Sequence, residues 1–392
     1  MQKAKAYLDN STVPSKKPFK GILGGREMVR VACIQAPQIV FNKEKSIETA
    51  CARIREAGEH GAQLVAFSET YIPCYAAYYD GGFDNSMDEW MEWNMGLQQN
   101  SIVIPSEDTD RIGAACRDAG VYCVIGVNEL DDAEGVRTFY NSQIIFGADG
   151  SILGRHRKTK PTYVERAYWG EGDGSDLNVY KTPIGRIGSL VCWEHHTILV
   201  SRAQMLMGEE IHVANWPGTW KVGPKTAMDP NFDPLGIGCD GITACKEYAF
   251  QAGCFVVSVH GLLREEDFEP EYKNMLESKD LNYGWAHGGS CVIGPLGEFI
   301  AKPVFDQDTI IYADCYAKDI MAAKAFFDGL GHYSRPDIAR LEYNPTHYKN
   351  LNIVTGPQTG LIAPEYSYLK EISEKYEVAL SRLEKLAEKI EK

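Results

Sequence analysis

Short apolar runs alternate with segments of helical period along most of this chain, and that rhythm leaves few architectures open. Val29 to Ala36 (VRVACIQA) reads as a strand, the stretch carrying Ile47, Cys51 and Ile54 as a helix, and Leu64 to Glu69 (LVAFSE) as a buried strand. The pattern returns with a helix capped by Ser106, acidic at Glu107 and Asp108 and apolar at Ile112 and Cys116, ahead of the strand Val121 to Val127. Strand, helix, strand units favour parallel pairing. Hairpins then interrupt. Tyr140 to Phe146 and Ile152 to His156 flank a turn at Ala148 to Gly150, and Pro183 to Gly185 turns into the strand Ile187 to Cys192. The alternation resumes with a helix over Thr197 to Met207, a strand over Ile211 to Trp216, a helix over Ile242 to Gln251 and a strand over Cys254 to His260. A last hairpin joins Ser290 to Ile293 with Phe299 to Lys302, before Thr309 to Tyr316 and a helix through Ile320, Ala323 and Phe327. The expectation is an α/β protein with mixed sheets.

Three regions depart from the rhythm. The arm 1–27 carries lysines but no apolar stretch of signal-peptide type, and Asp9 and Pro14 interrupt any amphipathic helix. Pro217 to Gly241 and Glu265 to Tyr283 read as long loops, of the kind that form lids, pocket walls or contact surfaces. Within a C-terminal extension 341–392, the apolar positions Leu369, Ile372, Tyr376, Ala379, Leu383, Leu386 and Ile390 predict an amphipathic helix over 366–391. Its stripe wants a partner, either its own domain or another chain. The domain between, 28–340, is long enough to bury a large core.

Composition removes several classes of function. A formal net charge of -14 repels phosphate backbones, and no basic stripe interleaved with aromatics offsets it, so nucleic-acid binding is set aside. Apolar runs such as Ile187 to Trp193 fall far short of the roughly 18 residues a membrane helix needs. The 11 cysteines are scattered singly, without a Cys-x-x-Cys pair, which suits a reducing cytoplasm. His195 and His196 are adjacent, poor spacing for two ligands from one helix face, so neither a metal nor an organic cofactor is expected.

The candidate chemistry gathers at strand ends. Cys192 closes an apolar strand (IGSLVCW) ahead of a helical segment, a turn where open α/β sheets place reactive groups and where a helix N-terminus favours thiolate. Glu69 runs straight out of an apolar strand, and the charged loop HRKTKPTYVE brings Lys158 and Glu165. Alone, such a cysteine is more often a small core residue, and such a loop a solvated surface turn.

Company changes that balance. AFSETYIP around Glu69, HRKTKPTYVER around Lys158 and Glu165, WGEGDGSDL from Trp169 and VCWEHH around Cys192 appear in order, followed by IHVANWPG, KEYAFQAGCFVV, HGGSCVIGPLGEFIAKP and FDGLGHYSRPD. From Arg30 to Asp337 the chain thereby resembles the nitrilase superfamily of carbon-nitrogen hydrolases, and within it the nitrilase branch. The resemblance implies an αββα sandwich, two sheets between helices, with a Glu, Lys, Cys triad at Glu69, Lys158 and Cys192 and a second glutamate at Glu165. It also implies a homo-oligomer, a dimer able to extend into a spiral filament.

These residue types suit an attack on a carbon-nitrogen multiple bond. A nitrile carbon is a weak electrophile, and thiolate is the most nucleophilic side chain near neutral pH. Lys158 is expected to lower the thiol pKa below about 8.5 and to stabilise developing negative charge. Glu69 is expected to take the thiol proton, pass protons to departing ammonia and activate water, while Glu165 orients Lys158. The backbone N–H of Trp193, next after the nucleophile, is the expected oxyanion donor, and Tyr75, Tyr163 and Trp216 are expected along the substrate pocket, with Tyr78 and Tyr79 at its entrance. Trp193-Glu194-His195 resembles the nitrilase branch, whereas sister branches use the same triad on amides and N-carbamoyl compounds. Two departures from the branch predict an unusual substrate preference: His196-Thr197-Ile198-Leu199 where a Pro-Leu pair is common, and Cys74-Tyr75-Ala76 where Gly-Tyr-Pro is usual. The reading from another class, a catalytically idle protein that assembles through its tail, sits poorly with an intact triad.

Overall fold

The computed structural model describes residues 21–76, 87–133, 135–219, 240–267 and 286–348. The chain divides into a first compact unit, Met1–His347, and a second, Tyr348–Lys392. The expected helix over 366–391, Tyr78 and Tyr79, and most of the arm and of the two long loops lie outside the described residues.

In the first unit, β1 (Met28–Gln35), β2 (Leu64–Ala66), β3 (Tyr122–Asp131), β4 (Thr138–Phe146), β5 (Ile152–Arg157) and β13 (Thr309–Tyr316) form one sheet in the order β13-β1-β2-β3-β4-β5. The strands β1, β2 and β3 pair in parallel and the outer pairs are antiparallel. A second sheet is built from β6 (Val179–Thr182), β7 (Gly185–Val191), β8 (Ile211–Trp216), β9 (Phe255–His260), β10 (Leu262–Leu263), β11 (Ala286–Ile293) and β12 (Phe299–Phe305). Its central strands β7, β8 and β9 are again parallel.

Strand side chains alternate between faces, and the alternation sorts the core into layers. Val29, Val31 and Cys33 of β1 point at the second sheet, where Ile187, Val213, Val257 and Val292 meet them. Ala32 and Ile34 point the other way, against α1 (Lys43–Glu59) and α3 (Glu107–Ala119). The stripe Ile47, Ala50, Cys51, Ile54 and Ala57 makes α1 fit that face. A fully buried side chain such as Ile54 contributes about 1.5–3 kcal/mol relative to an exposed one. On the far side, Met205 of α4 (Ile198–Leu206) and Ile242, Cys245 and Tyr248 of α5 (Asp240–Ala252) cover Leu190, Ala214 and Val256. Helix, sheet, sheet, helix is the expected αββα sandwich. A further helix, α6 (Ala317–Phe326), follows β13.

The structure differs from the sequence reading in several places. The helix α2 (Met87–Asn100) was not foreseen, because it is anchored through Trp93 and Leu97, set among polar residues, in a separate cluster with Phe41, Tyr75 and Trp169. At the start of α3 the Thr109 hydroxyl accepts the Ser106 N–H at 2.8 Å. The strand expected over 64–69 ends at Ala66. Cys192 opens a five-residue 3-10 turn, Cys192–His196, and α4 begins only at Ile198.

Candidate active site

Glu69 reaches the site because its segment crosses from one sheet to the other. The Phe67 N–H still bonds Val124 O of β3 at 2.9 Å, but the Glu69 N–H donates to Trp216 O of β8 at 3.2 Å. The Asn215 amide donates to Phe67 O at 2.5 Å, and the Gln38 amide to Glu69 O at 3.0 Å. Gly126 on β3 allows this close approach, since a Cβ there would lie 2.3 Å from Ser68 O and 2.6 Å from Thr70 N.

Lys158 follows β5 directly, its N–H bonded to Asn141 O at 2.8 Å. Its buried Nζ donates to Glu69 Oε1 at 2.8 Å and to both Glu165 oxygens at 2.9 and 2.8 Å. Glu165 lies in the 3-10 turn Tyr163–Ala167 and is fixed by the Thr162 N–H at 2.7 Å and the Tyr75 hydroxyl at 2.5 Å. Cys192 follows β7 with φ +51°, a left-handed conformation that costs a residue with a Cβ about 1–3 kcal/mol and survives only where its surroundings enforce it. Its Sγ and one oxygen each of Glu69 and Glu165 lie within 4.8 Å of one another.

Burial dominates the electrostatics. It pushes Glu69 up, against the pull of Lys158 and with Glu165 adding to the rise, to about 7. Burial also raises the Cys192 thiol well above its ordinary range, Glu69 reinforcing the effect and Lys158 opposing it. Lys158 stays firmly protonated: burial opposes its charge, but Cys192, Glu165 and Glu69 outweigh that cost. Burial and the two carboxylates therefore work against the expected resting thiolate, and Lys158 works for it. A short 3-10 turn replaces the helix N-terminus that was to stabilise the anion, and two carboxylates share the site with one ammonium.

Glu69 Oε1 is occupied by Lys158 and by the Asn141 amide at 2.5 Å, while Oε2 is buried without a hydrogen-bond partner. Oε2 is thus placed to accept a proton. Among the described residues, Glu69, Glu165 and Cys192 have the spacing of a metal site, but Lys158 Nζ already supplies the cation between the carboxylates.

The four predicted residues Glu69, Lys158, Glu165 and Cys192 thus come together. Tyr75 is buried against Glu165, and Trp216 is buried, stacked on His195 and His260 at 5.2 and 5.7 Å between ring centroids. Tyr163 is a correction: it is 74% exposed, because a positive φ at the start of its turn directs Glu165 inward and leaves the tyrosine in solvent. The Trp193 ring is 51% exposed, so only its backbone remains at the nucleophile. Glu194 was missed. One of its oxygens accepts from the Thr159 N–H at 2.7 Å and the Thr159 hydroxyl at 2.6 Å. The other accepts from the Val191 N–H at 2.8 Å and pairs with His156 Nε2 at 2.7 Å. It ties the Lys158 loop to the Cys192 turn, and its position two after the nucleophile was the available signal.

Residues 30–325 match the family described as carbon-nitrogen hydrolase. An aliphatic nitrilase of Rhodococcus rhodochrous is 34% identical over 88% of this chain and 91% of its own length. Nitrilase 1 of Arabidopsis thaliana is 32% identical over 88% and 95%. The crystal structure of a carbon-nitrogen hydrolase from Helicobacter pylori G27 superposes with a TM-score of 0.61 at 21% identity, covering 79% of this chain and 96% of the other, and shares the fold. By its sequence, its layers and its buried Glu, Lys, Cys cluster, the chain belongs to the nitrilase superfamily of carbon-nitrogen hydrolases, and to its nitrilase branch.

Proposed function

We propose that this protein hydrolyses an organic nitrile to the carboxylic acid and ammonia, with Cys192 as nucleophile. The observation that carries the reading is the Cys192 sulfur grouped within 4.8 Å with one oxygen each of Glu69 and Glu165, while the buried Lys158 Nζ donates to both carboxylates. Glu69 takes the thiol proton as sulfur bonds to the nitrile carbon, and the nitrogen is protonated to give a thioimidate. Water adds, ammonia departs, and a second water cleaves the thioester. Two waters are consumed for each acid and ammonia formed.

Lys158 stabilises the charge developing on nitrogen and later on oxygen, and the Trp193 N–H is the second donor. Glu165, fixed by Tyr75 and Thr162, holds Lys158 in place. The nitrile preference over amides is supported by relatives named as nitrilases and by Trp193-Glu194-His195 after the nucleophile. Self-association as a dimer, extending to a filament, is supported by apolar side chains standing in solvent on α4, Ile198 and Leu199 among them. A cytoplasmic location is supported by cysteines scattered singly.

The test is ammonia release from aliphatic, aromatic and arylaliphatic nitriles and from their matching amides. Nitriles are expected to give acid and ammonia, and a substrate-derived mass is expected on the Cys192 peptide after acid quench. Turnover of amides or carbamoyl compounds alone would sink the nitrile reading. Full turnover by Cys192→Ser would sink the nucleophile.

A further inference from the structure

Next to the Cys192 turn lies a buried chain of side chains that the chemistry above does not use. His195 Nδ1 stands 2.6 Å from Cys192 O. A carbonyl only accepts, so Nδ1 carries the proton. His195 Nε2 stands 2.9 Å from His212 Nε2, and His212 Nδ1 stands 2.8 Å from Glu209 Oε2. The Tyr248 hydroxyl donates to Glu209 Oε1. All four side chains are buried.

Matching donors to acceptors leaves one direction for this chain. With Nδ1 committed to the carbonyl, a neutral His195 has a lone pair on Nε2, so His212 Nε2 must donate to it. His212 Nδ1 then faces Glu209 Oε2 at 2.8 Å, a contact that needs one further proton between the two atoms. Burial, and next the neighbouring His212, push His195 down to about 3, in keeping with a neutral ring.

We propose that Glu209, His212 and His195 form a relay of positioning residues that aims the oxyanion donor, the N–H of Trp193. Cys192 O and Trp193 N belong to one planar peptide, so a proton held on the oxygen fixes the plane, and polarisation strengthens the N–H at its other end. The left-handed φ of +51° at Cys192 means this peptide is not held by local preference. Without His212, the His195 proton is free to move to Nε2. A bare Nδ1 then faces the carbonyl oxygen at 2.6 Å, and the peptide turns away. This proposal rests on Cys192 as the nucleophile.

The test compares His212→Leu with His212→Gln, whose amide nitrogen restores a donor toward His195. Each is assayed for hydrolysis and for iodoacetamide alkylation of Cys192, read from the mass of its peptide. Alkylation displaces iodide and builds no oxyanion, so it reports the thiol and Glu69 alone. His212→Leu is expected to lose about 10²-fold in kcat with KM within about threefold and alkylation near the native rate, and His212→Gln to regain at least about tenfold. Histidine 15N spectra are expected to show the His195 proton on Nδ1 in the native chain and on Nε2 in His212→Leu. Retained kcat in His212→Leu, a parallel loss of alkylation, absence of rescue by glutamine, or a native His195 protonated on Nε2 would each overturn the relay. Failure of the substrate reading is distinct: a native chain that hydrolyses amides but no nitrile overturns that reading, and the relay is then measured on the amide.

Discussion

Two buried glutamate–histidine pairs flank the Cys192 turn, and they are wired differently. Glu194, with His156, grips the backbone itself, accepting the N–H groups of Val191, just before Cys192, and Thr159, just after Lys158. Glu209, with His212, is local in sequence and touches the turn only through His195. The same chemical pair therefore serves as a structural tie in one place and as a directional relay in the other. What separates them is that Glu194 also accepts main-chain N–H groups, whereas the histidine paired with Glu209 passes the contact on to a second ring, His195. A tie is expected to show in stability first, a relay in turnover first.

Replacing the tie gives the largest expected effect. Glu194→Leu leaves four donor contacts, two buried and two part-buried, without an acceptor and removes the partner of a buried charge, so a loss of about 3–5 kcal/mol is expected in denaturant unfolding. If His212→Leu costs as much stability as Glu194→Leu, the distinction between tie and relay fails.

Acid pH sharpens the same contrast. Glu194 is held down to about 2: burial opposes its charge, but His156 and then Thr159 outweigh it. A carboxylate depressed in the folded state stabilises above its unfolded pKa of about 4.3, and that stability is lost as pH falls toward 2. His156 is raised, its burial outweighed by Glu194, so its contribution is present below about 6.5 and fades as pH rises through the folded value. Urea midpoints followed from pH 6 to pH 2 are expected to fall less steeply in Glu194→Gln than in the native chain; equal slopes would refute the assignment.

A smaller effect is expected on the catalytic side. The Asn141 amide favours the charged form of Glu69, so Asn141→Leu is expected to move the acid limb of kcat/KM upward from near 7 by about half to one unit, a shift of the size one lost hydrogen bond to a charged group produces. An unmoved limb would detach that limb from Glu69. The smallest effect is expected at the outer end of the relay. Tyr248→Phe removes one donor to Glu209 but keeps the His212 contact, and a loss of about 1 kcal/mol with kcat within about threefold is expected from unfolding and steady-state assays. A large kcat loss there would make Tyr248 part of the aiming device and not its anchor.

Glu69 and Cys192 stood out because each follows an apolar strand, and strand ends are where such sheets expose chemistry, whereas Lys158, in a charged run after β5, stood out only through the family resemblance of its loop. The layers were legible because period-two and helical spacing survive in the strands and in α1 and α5. The helix α2 was not, since its two buried anchors are lost among polar neighbours. Tyr163 misled because an aromatic beside a catalytic motif carries no mark of the turn that points it outward.

The order of residues alone determined which side chains are available and which ends of which strands carry them, because those follow from spacing along the chain. Tertiary structure decided how they are charged and held. Asn141 meets Glu69, His156 meets Glu194 and His195 meets His212 only when separate strands and turns pack together, and burial then raises Glu69 and the Cys192 thiol. Contacts between distant residues and loss of solvent are properties of the packed sheets, so no local pattern records them.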